Sequence, residues 1–382
     1  MQEFYEFFAG AGMVRAGLGP SWRCLFANDF DHKKGRTYRE NWGGGSGLKI
    51  ADIGSLTGND LPSQANLAWA SFPCQDLSLA GTGVGLKGER SGTFWPFWKL
   101  MEGLIRENRA PRLIVLENVC GLLTSHGGND FAMICGRFQQ AGYCVGALVI
   151  DAKLFMPQSR PRLFVIGVKE DIELAPALWA TGPIAPWHTP SLRAAFDRVA
   201  PKTKRAWVWW NPPLPPKRRL TFSDLIEENP ENTSWFSAER VQYLLSLMSP
   251  VNLAKVAEAK GSGRRMVGGI YKRTRPNEDG RKVQRAEVRF DDVSGCLRTP
   301  AGGSSRQVIV VVDGQSVKAR LISSRETARL MGLPDTYKLP ANYNEAYHLT
   351  GDGVVVPVVR HLAEHIFEPV LNAIRPRTTV AA

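Results

Sequence analysis

Short apolar runs alternate with polar and glycine-containing segments through the first half of the chain. Each run has the length of a strand rather than a helix, and several of the intervening segments are long enough to hold a crossover helix. Buried strands linked by helices predict a doubly wound, mostly parallel α/β sheet. The predicted strands are 4–8, 24–27, 67–70, 113–116, 144–150 and 163–166, with helices starting at Met13 and spanning 94–108.

The regular alternation stops after about residue 182, where tryptophans, prolines and basic residues replace it. The sequence therefore predicts a first domain at 1–183 and a smaller, mixed second domain at 184–318. Residues 319–345 are expected to form a hinge. The apolar segment and helix of 346–382 are expected to return to the first domain, so that its sheet is assembled from both ends of the chain.

The positive charge of the chain is concentrated in the second domain. The net charge is +12 over 382 residues, and 184–318 alone carries 23 Lys and Arg against 13 Asp and Glu, a net of +10. A basic segment of this kind is the electrostatic footprint of a protein that binds nucleic-acid phosphates. A cationic surface that is merely solvated is the alternative interpretation.

Cysteine spacing and hydropathy argue against several protein classes. The six cysteines include no CxxC pair and no His/Cys cluster with zinc spacing, so neither a disulfide framework nor a metal site is expected. The first residues lack the basic start of a signal peptide, and no run approaches the ~18 apolar residues that span a membrane. We expect a cytoplasmic, monomeric protein that contacts no membrane.

Cys74 stands between Pro73 and Gln75, directly after the predicted strand 67–70. A thiol at the carboxyl end of a strand lies where open α/β sheets bind their ligands. A buried core cysteine is the commoner interpretation of one thiol taken alone. Glu117 ends the strand 113–116, and because an unpaired buried carboxylate is unfavourable, it is expected to face the same edge as Cys74.

Two further segments flank this candidate site. Arg160 and Arg162 precede the strand 163–166, and on an extended chain both side chains point the same way, which suits a cluster that grips an anion or a polar base edge. The glycine-rich stretch 81–93 is predicted to be a mobile lid over the site, with a simple linker as the alternative.

The first predicted strand leads into a loop with two glycines, Gly10 and Gly12. Such a loop lets the backbone approach a ligand closely. Asp29 and Asp52 end later apolar stretches, and Phe30 is an aromatic residue that can stack on a purine. The loop lacks the third glycine of the dinucleotide fingerprint, and no GKS or GKT phosphate loop occurs, so these residues predict a nucleoside site with nothing for a pyrophosphate.

The motifs described above, together with two near the end of the chain, occur in an order that resembles DNA (cytosine-5) methyltransferases over nearly the whole chain. The combination is specific, whereas each motif alone is not. The last motif departs from the family, because Asp352 stands where the family usually has Asn. The motifs are FAGAG at 8–12, NDF at 28–30, DI at 52–53, FPCQ at 72–75, ENV at 117–119, QSRPR at 158–162, the helix segment 324–334 and GDGVVVP at 351–357.

The resemblance implies a specific chemistry. Carbon 5 of cytosine is a poor nucleophile, and the family activates the ring by adding a thiolate to carbon 6, the role implied for Cys74. Glu117 resembles the glutamate that binds ring nitrogen 3 and the exocyclic amine, for which it must be protonated at least transiently. Arg162 resembles the arginine that binds the ring carbonyl, and Arg160 the one that steadies the loop and nucleophile. The base must be flipped out of the duplex first.

The resemblance also implies the cofactor S-adenosylmethionine, with S-adenosylhomocysteine as product. The expected cofactor residues occupy the glycine loop, the acids after the second and third strands, the catalytic segment and the last motif. They are Phe8, Ala9, Gly10, Gly12, Asp29, Phe30, Asp52, Ile53, Pro73, Asp352 and Val354.

Double-stranded DNA is the implied partner, and 184–318 corresponds to the family's target-recognition domain. Arginines in its glycine-rich loops can read guanine or simply hold phosphate, and the second role is at least as common. The expected DNA-binding residues are Gln75, Ser78, Lys87, Arg90, Arg264, Arg265, Lys272, Arg273, Arg298, Thr299 and Arg306.

Two other functions remain compatible with these residues. An RNA cytosine-5 methyltransferase acting on tRNA would share the catalytic residues, although the basic insert favours duplex DNA. A DNA-binding protein with a decayed active site is the second, although Cys74, Glu117, Arg160 and Arg162 are all present. A cognate restriction endonuclease, encoded as a separate protein, or an orphan or phage modification role would fit the leading interpretation.

Overall fold

The structure of the protein is a computed structural model. It describes residues 1–45, 47–73, 93–276, 279–297 and 306–373. The chain divides into two compact units: unit 1 comprises 1–151, 161–215 and 356–382, and unit 2 comprises 152–160 and 216–355. Each unit contains its own sheet.

Strands and helices alternate in the first half of the chain and separate later. The strands are β1 Gln2–Phe7, β2 Trp22–Asp29, β3 Leu48–Ile50, β4 Leu67–Ala70, β5 Leu113–Val119, β6 Tyr143–Asp151, β7 Pro161–Lys169, β8 Trp179–Ala180, β9 Trp209–Trp210, β10 Met266–Pro276, β11 Lys282–Arg289, β12 Val308–Asp313 and β13 Ser316–Leu321. The helices are α1 Met13–Leu18, α2 His32–Trp42, α3 Phe94–Arg106, α4 Asn129–Gln140, α5 Pro190–Asp197, α6 Pro201–Arg205, α7 Ala238–Ser246, α8 Pro250–Gly261, α9 Ser324–Leu330, α10 Tyr343–Asp352, α11 Val356–Leu362 and α12 Glu368–Asn372, with a π-helix at Ala363–Phe367 and short 3₁₀ turns at Ile53–Ser55, Gly58–Asp60, Cys120–Leu123, Ser125–Gly128, Ala152–Leu154, Pro176–Leu178 and Ser223–Leu225.

Unit 1 is built on a seven-stranded sheet in the order β3-β2-β1-β4-β5-β7-β6. The first five strands of this order run parallel, whereas β7 runs antiparallel to both β5 and β6. β4 and most of β5 are apolar on both faces because helices cover the sheet on both sides. The predicted mostly parallel α/β sheet is confirmed.

The core of unit 1 lies between this sheet and its helices. Phe94, Phe97 and Trp98 on α3 pack with Phe7 and Phe138 in one buried apolar cluster. The apolar side of α3 turns to this cluster because its large side chains recur at helical spacing. Burying a side chain of this size contributes about 1.5–3 kcal/mol each.

The segment 356–373 packs within unit 1, whereas 346–355, which the sequence predicts to return with it, belongs to unit 2. A Cβ at Gly17 of α1 would lie 2.8 Å from the carbonyl oxygen of Val356, so only glycine lets α1 and α11 approach this closely. Arg360 donates to the carbonyl oxygen of Leu18. Helix α11 begins at Val356, four residues before the helix start that the sequence predicts at Arg360.

Unit 2 contains a four-stranded antiparallel sheet in the order β11-β10-β12-β13. Helices α7 and α8 cover one face, burying Leu244 and Val256 against Ile270 and Val310. Across β13 and α9, the fully buried side chains of Arg320 and Glu326 form an ion pair of 2.6 Å. The pair is satisfied further by the backbone of Glu227, so it fixes this part of unit 2 without leaving a buried charge unpaired.

The boundaries between the units differ from the predicted ones. The segment 184–215 belongs to unit 1 because its tryptophans pack there: Trp187 is buried and donates to the carbonyl oxygen of Pro212, and Trp210 pairs with Trp179 in a two-stranded sheet. The predicted hinge 319–345 contains half of β13 and all of α9. Within the described ranges, no helix is long and apolar enough to cross a membrane.

Candidate active site

Glu117, Arg162 and several predicted cofactor residues of unit 1 collect at one edge of the seven-stranded sheet. β1, β2, β4 and β5 are parallel, so their carboxyl ends share this edge, and the antiparallel β7 begins there. Side chains that follow the first four strands, or that start β7, are therefore brought together although they are far apart in sequence.

Glu117 and Arg162 form an ion pair at this edge. Arg162 Nε lies 3.2 Å from Glu117 Oε1, and their side chains are only 16% and 8% exposed. The register explains the contact, because Arg162 of β7 lies opposite Val119 of β5, two residues beyond Glu117 on the same face. A carboxyl and a guanidinium group thus lie side by side where little solvent reaches them, and each can form hydrogen bonds to polar atoms along the edge of a ligand.

Asn118 fixes the chain that enters the candidate nucleophile segment. Its side-chain amide is buried and donates to the carbonyl oxygen of Phe72 at 3.1 Å, while its Oδ1 accepts from the amide of Val119 at 2.9 Å. Phe72 is itself buried and packs on Phe94 of α3. Residues 72 and 73, directly before Cys74, are therefore held beside the end of β5.

Arg160 contacts main chain in unit 2, whereas the sequence predicts one cluster of Arg160 and Arg162. Arg160 belongs to unit 2, is 2% exposed, and directs its guanidinium at the carbonyl oxygens of Leu297, Gly351 and Gly353 at 2.7–3.2 Å. The expected common direction holds only within a strand, and β7 starts after Arg160. The buried Arg160 instead holds main chain within unit 2.

The contacts of Arg160 bear on the unusual residue of the last motif. Asp352 is exposed at the end of α10, and the carbonyl groups on either side of it, those of Gly351 and Gly353, both accept from Arg160. Arg160 thus holds the main chain on both sides of residue 352. Val354 is buried in the same unit.

The loop after β1 has the conformation that its glycines permit. Phe8, Gly10 and Gly12 have φ angles of 56°, 56° and 82°, in the left-handed region that favours glycine. The amide of Ala9 donates to the carbonyl oxygen of Asn28 at 2.9 Å. A Cβ added at Gly10 would meet no atom within 4 Å, so the loop is open on that side.

Asp29 ties the end of β2 to this loop. Its Oδ2 accepts from the amide of Gly10 at 2.7 Å, and its Oδ1 from the amide of Asp31 at 2.8 Å. Burial raises the pKa of Asp29, while nearby Lys34 and these hydrogen bonds act in the opposite direction. The carboxyl group therefore fixes the loop and keeps further lone pairs for a ligand.

Phe30 and Asp52 present ligand-binding groups beside the glycine loop. The Phe30 side chain is 69% exposed, although apolar rings of this size are usually buried. Asp52 is exposed and accepts from the amide of Gly54 at 2.7 Å, which fixes its carboxylate at the start of a 3₁₀ turn. Ile53 is 4% exposed and packs in the core of unit 1. An exposed ring and two acids are a suitable set for a nucleoside.

The predicted DNA-binding residues that the structure describes lie in unit 2 and differ in their contacts. Arg264 and Arg273 are exposed, and Arg273 pairs with Glu287 at 3.1 Å. Lys272, its neighbour on β10, is half-buried. Arg265 donates to the hydroxyl of Ser223 at 2.9 Å, and Arg306 donates to Asn344. Arg265 and Arg306 thus contribute to the structure of unit 2 itself.

Several predicted site residues lie outside the described part of the chain. They belong to the catalytic segment with its glycine-rich continuation and to one loop of the basic segment. They are Cys74, Gln75, Ser78, Lys87, Arg90, Arg298 and Thr299, and the proposed lid at 81–93 falls there except for Thr93.

The sequence pattern alone does not single out three residues at or near these sites. Asn118 stands out only as part of the ENV motif, although a polar residue at a strand end next to an acid is itself a signal. Glu6 is a lone acid in the aromatic run of β1, and the structure buries it completely. Arg285 lies directly opposite Arg273 on β11, a relation that needs the strand register.

Comparisons with known proteins agree with this arrangement. A family model described as C-5 cytosine-specific DNA methylase matches residues 2–368. The chain is 25% identical to the Type II methyltransferase M.BsuFI of Bacillus subtilis, covering 97% of this chain and 73% of the relative, and 24% identical to M.NlaX of Neisseria lactamica, covering 99% of each. The solved Entamoeba histolytica methyltransferase EhMeth has the same fold, with a TM-score of 0.62 at 13% identity over 96% of this chain and 98% of that one.

Proposed function

The chain belongs to the C-5 cytosine-specific DNA methylase family, and from this premise we propose that it methylates one extruded cytosine in double-stranded DNA through a covalent adduct with Cys74. It is a DNA (cytosine-5-)-methyltransferase. The observation that carries the proposed mechanism is the Glu117–Arg162 pair beside the fixed segment that leads to Cys74.

Covalent activation follows from the electronic structure of cytosine. Carbon 5 becomes nucleophilic only after a nucleophile adds to carbon 6, and a thiolate is the strongest nucleophile that a protein side chain offers near neutral pH. The hydrogen bond from Asn118 to the carbonyl oxygen of Phe72 fixes the chain two residues before Cys74, at the sheet edge where Glu117 lies. The attack comes from above the ring plane, so the base must leave the stacked duplex, which costs a few kcal/mol.

The Glu117–Arg162 pair has the groups that the polar edge of cytosine needs. A protonated Glu117 donates to nitrogen 3 and accepts from the exocyclic amine, while the Arg162 guanidinium donates to the ring carbonyl oxygen. Charge that moves onto the ring during thiolate addition is then neutralised by the proton from Glu117 and by the Arg162 cation. Once carbon 5 carries the methyl group, its proton passes to solvent, the Cys74 thiolate is expelled and the nitrogen-3 proton returns to Glu117, which restores the aromatic ring.

The glycine loop and its neighbours fit the methyl donor S-adenosylmethionine. The open side of Gly10 leaves room for the amino-acid portion, the acids Asp29 and Asp52 suit ribose and adenine groups, and the exposed ring of Phe30 suits stacking on the adenine. No phosphate-binding signature accompanies them, which agrees with a nucleoside without phosphates. When bound, this cofactor supplies an electrophilic methyl group and leaves as S-adenosylhomocysteine.

Unit 2 is proposed to hold the DNA backbone and to read the target sequence. Exposed Arg264 and Arg273 can bind phosphates, and phosphate contacts supply most sequence-independent affinity. The relatives M.BsuFI and M.NlaX are named Type II methyltransferases. We therefore infer a role in restriction–modification, with a cognate endonuclease as a separate protein.

Expression in a bacterial host that lacks cytosine methylation, followed by bisulfite sequencing, tests the activity and yields the recognition sequence. A duplex with that sequence then serves for tritium transfer from S-adenosylmethionine by wild type, Cys74→Ala and Cys74→Ser. Methyl transfer is expected to fall to background in both variants, while duplex binding persists. A duplex carrying 5-fluorocytosine at the target is expected to trap a stable complex with wild type only.

The matched control is Cys135→Ala, because Cys135 is a fully buried thiol of α4 away from the sheet edge. It is expected to retain methyl transfer and trapping. An active Cys74→Ala enzyme would contradict the covalent mechanism, label in tRNA rather than DNA would contradict the substrate, and no label with wild type would point to a decayed site.

A further inference from the structure

A buried acid lies in the strand that leads into the glycine loop. Glu6 of β1 is 0% exposed, and no described residue makes a hydrogen bond to its Oε1. Burial is the largest influence on this group and raises its pKa to about 8, from an ordinary value of 4.5. Arg15, Tyr38 and the first-turn amides of α1 act in the opposite direction but do not compensate for burial.

The hydroxyl of Tyr38 connects Glu6 to its neighbours. It donates to Glu6 Oε2 at 3.4 Å and accepts from Arg15 Nη1 at 3.4 Å, and Cys24 Sγ lies 3.6 Å away. Arg15 of α1, Cys24 of β2 and Tyr38 of α2 are the charged and titratable groups that face the carboxyl. Burial raises the pKa of Cys24 to about 12 and also raises the pKa of Tyr38, so neither group titrates near neutral pH.

Tyr38 also packs against the glycine loop, together with Trp42. A Cβ at Gly12 would lie 2.9 Å from Tyr38 Cε2 and from Trp42 Cδ1, so these two rings are in direct contact with the loop. Trp42 Nε1 donates to the carbonyl oxygen of Ala11 at 3.0 Å. The Arg15 guanidinium stacks over the Trp42 ring at 4.8 Å. Glu6, Tyr38, Arg15 and Trp42 therefore form one packed group, here named the loop support.

We propose that Glu6 is a positioning residue for cofactor binding: its buried carboxyl accepts from the Tyr38 hydroxyl and so keeps the loop support packed against Ala11 and Gly12. The proposal rests on the proposed function, since it takes S-adenosylmethionine as the ligand of this loop. An ionised carboxylate in the sheet interior requires water or a rearranged partner, and either change displaces Tyr38. The left-handed conformation of the loop then loses the contacts that hold it.

The direction of the pH effect follows from the raised pKa of Glu6. The group is ionised above about pH 4.5 in the unfolded chain but only above about pH 8 in the folded protein. Its contribution to stability is therefore fully present below pH 4.5 and is lost as pH rises through 8. Cofactor binding, which needs the packed loop, is expected to weaken over the upper part of this window.

Glu6→Gln tests the proposal, because glutamine keeps the shape and hydrogen-bonding capacity but cannot ionise. The measurement is calorimetric binding of S-adenosylhomocysteine between pH 6.5 and 9.5. At pH 6.5 the variant is expected to bind like wild type. By pH 9.5 wild type is expected to bind about tenfold more weakly than the variant, with the difference centred near pH 8. Titration of the ligand itself affects both proteins equally and cancels in this difference.

Glu3→Gln is the matched control, since Glu3 lies on the same strand but pairs with Arg23 at the surface, and it should follow wild type. Tyr38→Phe removes the central hydroxyl and is expected to weaken binding several-fold at pH 7, with an unchanged circular dichroism spectrum. Parallel wild-type and Glu6→Gln profiles would overturn this inference alone. Absence of S-adenosylhomocysteine binding by wild type at every pH would overturn the proposed cofactor and this inference together.

Discussion

Glu117 and Arg162 show what a single pair of side chains can do at a strand end. Each would be unfavourable if buried alone, and their 3.2 Å contact lets both remain only slightly exposed. The pair is thereby pre-formed for a ligand that offers a donor followed by two acceptors along one edge. Cytosine offers this sequence at the amine, nitrogen 3 and the carbonyl oxygen, which ties the geometry to the family's substrate.

The Glu117→Gln variant distinguishes the role of Glu117 in binding the base from its role in protonating the base. A glutamine amide can donate to nitrogen 3 and its carbonyl can accept from the amine, but it cannot transfer a proton. Single-turnover methyl transfer is therefore expected to fall about a hundredfold or more, with the dissociation constant for the target duplex within a few-fold of wild type. Tritium transfer and fluorescence anisotropy measure the two quantities.

Glu40→Gln, at an exposed position of α2, is the control for loss of one negative charge. It should change neither quantity. Equal loss of binding and turnover in Glu117→Gln would mean that the carboxyl group only holds the base. Full turnover would remove Glu117 from the mechanism.

At the level of elements, the loop between β1 and α1 depends on contacts from several neighbours. Asp29 after β2 holds the amide of Gly10 on one side, and Tyr38 and Trp42 of α2 contact Gly12 on another. The loop needs these contacts because three of its residues adopt positive φ angles. A short glycine loop becomes a binding site only when the surrounding elements fix its shape.

Gly12→Ala is expected to weaken S-adenosylhomocysteine binding at least tenfold. The residue has a φ of 82°, and its new Cβ would press against Tyr38 and Trp42 at distances well below van der Waals contact. Calorimetry of the folded variant measures the effect. Gly136→Ala in α4 is the control, since a Cβ there meets nothing within 4 Å and should add about 0.5–1 kcal/mol of stability without affecting binding. Wild-type affinity in Gly12→Ala would show that the loop adapts.

At the scale of the whole molecule, the basic residues concentrated in 184–318 include exposed arginines on the four-stranded sheet of unit 2. Arg273 on β10 lies directly opposite Arg285 on β11, and both side chains are exposed. Like charges opposite one another in a sheet are destabilising unless an anion lies between them. Glu287 compensates Arg273 in part, so a DNA phosphate is the expected further partner of this strand pair.

Arg285→Gln is expected to weaken binding of any duplex about equally, whatever its sequence. Removing one cation that neutralises a phosphate lowers the slope of log affinity against log salt concentration by about 0.9. Anisotropy titrations at several salt concentrations measure the slope. Arg23→Gln, an exposed arginine of unit 1 paired with Glu3, is the control and should leave the slope unchanged. An unchanged slope in Arg285→Gln would exclude Arg285 from phosphate binding.

The sequence by itself determined the sheet of unit 1 and the residues that end its strands. Runs such as 67–70 and 113–116 are recognisable because buried strands must be apolar on both faces, and the polar residues after them can only lie at the sheet edge. The family was identifiable for the same reason, since its motifs occur at these strand ends in a characteristic order. The local pattern was sufficient for residues that directly follow a buried strand, because the end of that strand places them at the sheet edge.

Only the tertiary structure decided which side chains meet. It paired Glu117 with Arg162 through the β5–β7 register, directed Arg160 to main-chain carbonyls of unit 2, and assigned 184–215 to unit 1. It also showed that Glu6 lies buried beneath the loop it precedes. These relations depend on register, strand ends and packing between distant segments, and those are set by the whole fold rather than by any stretch of sequence.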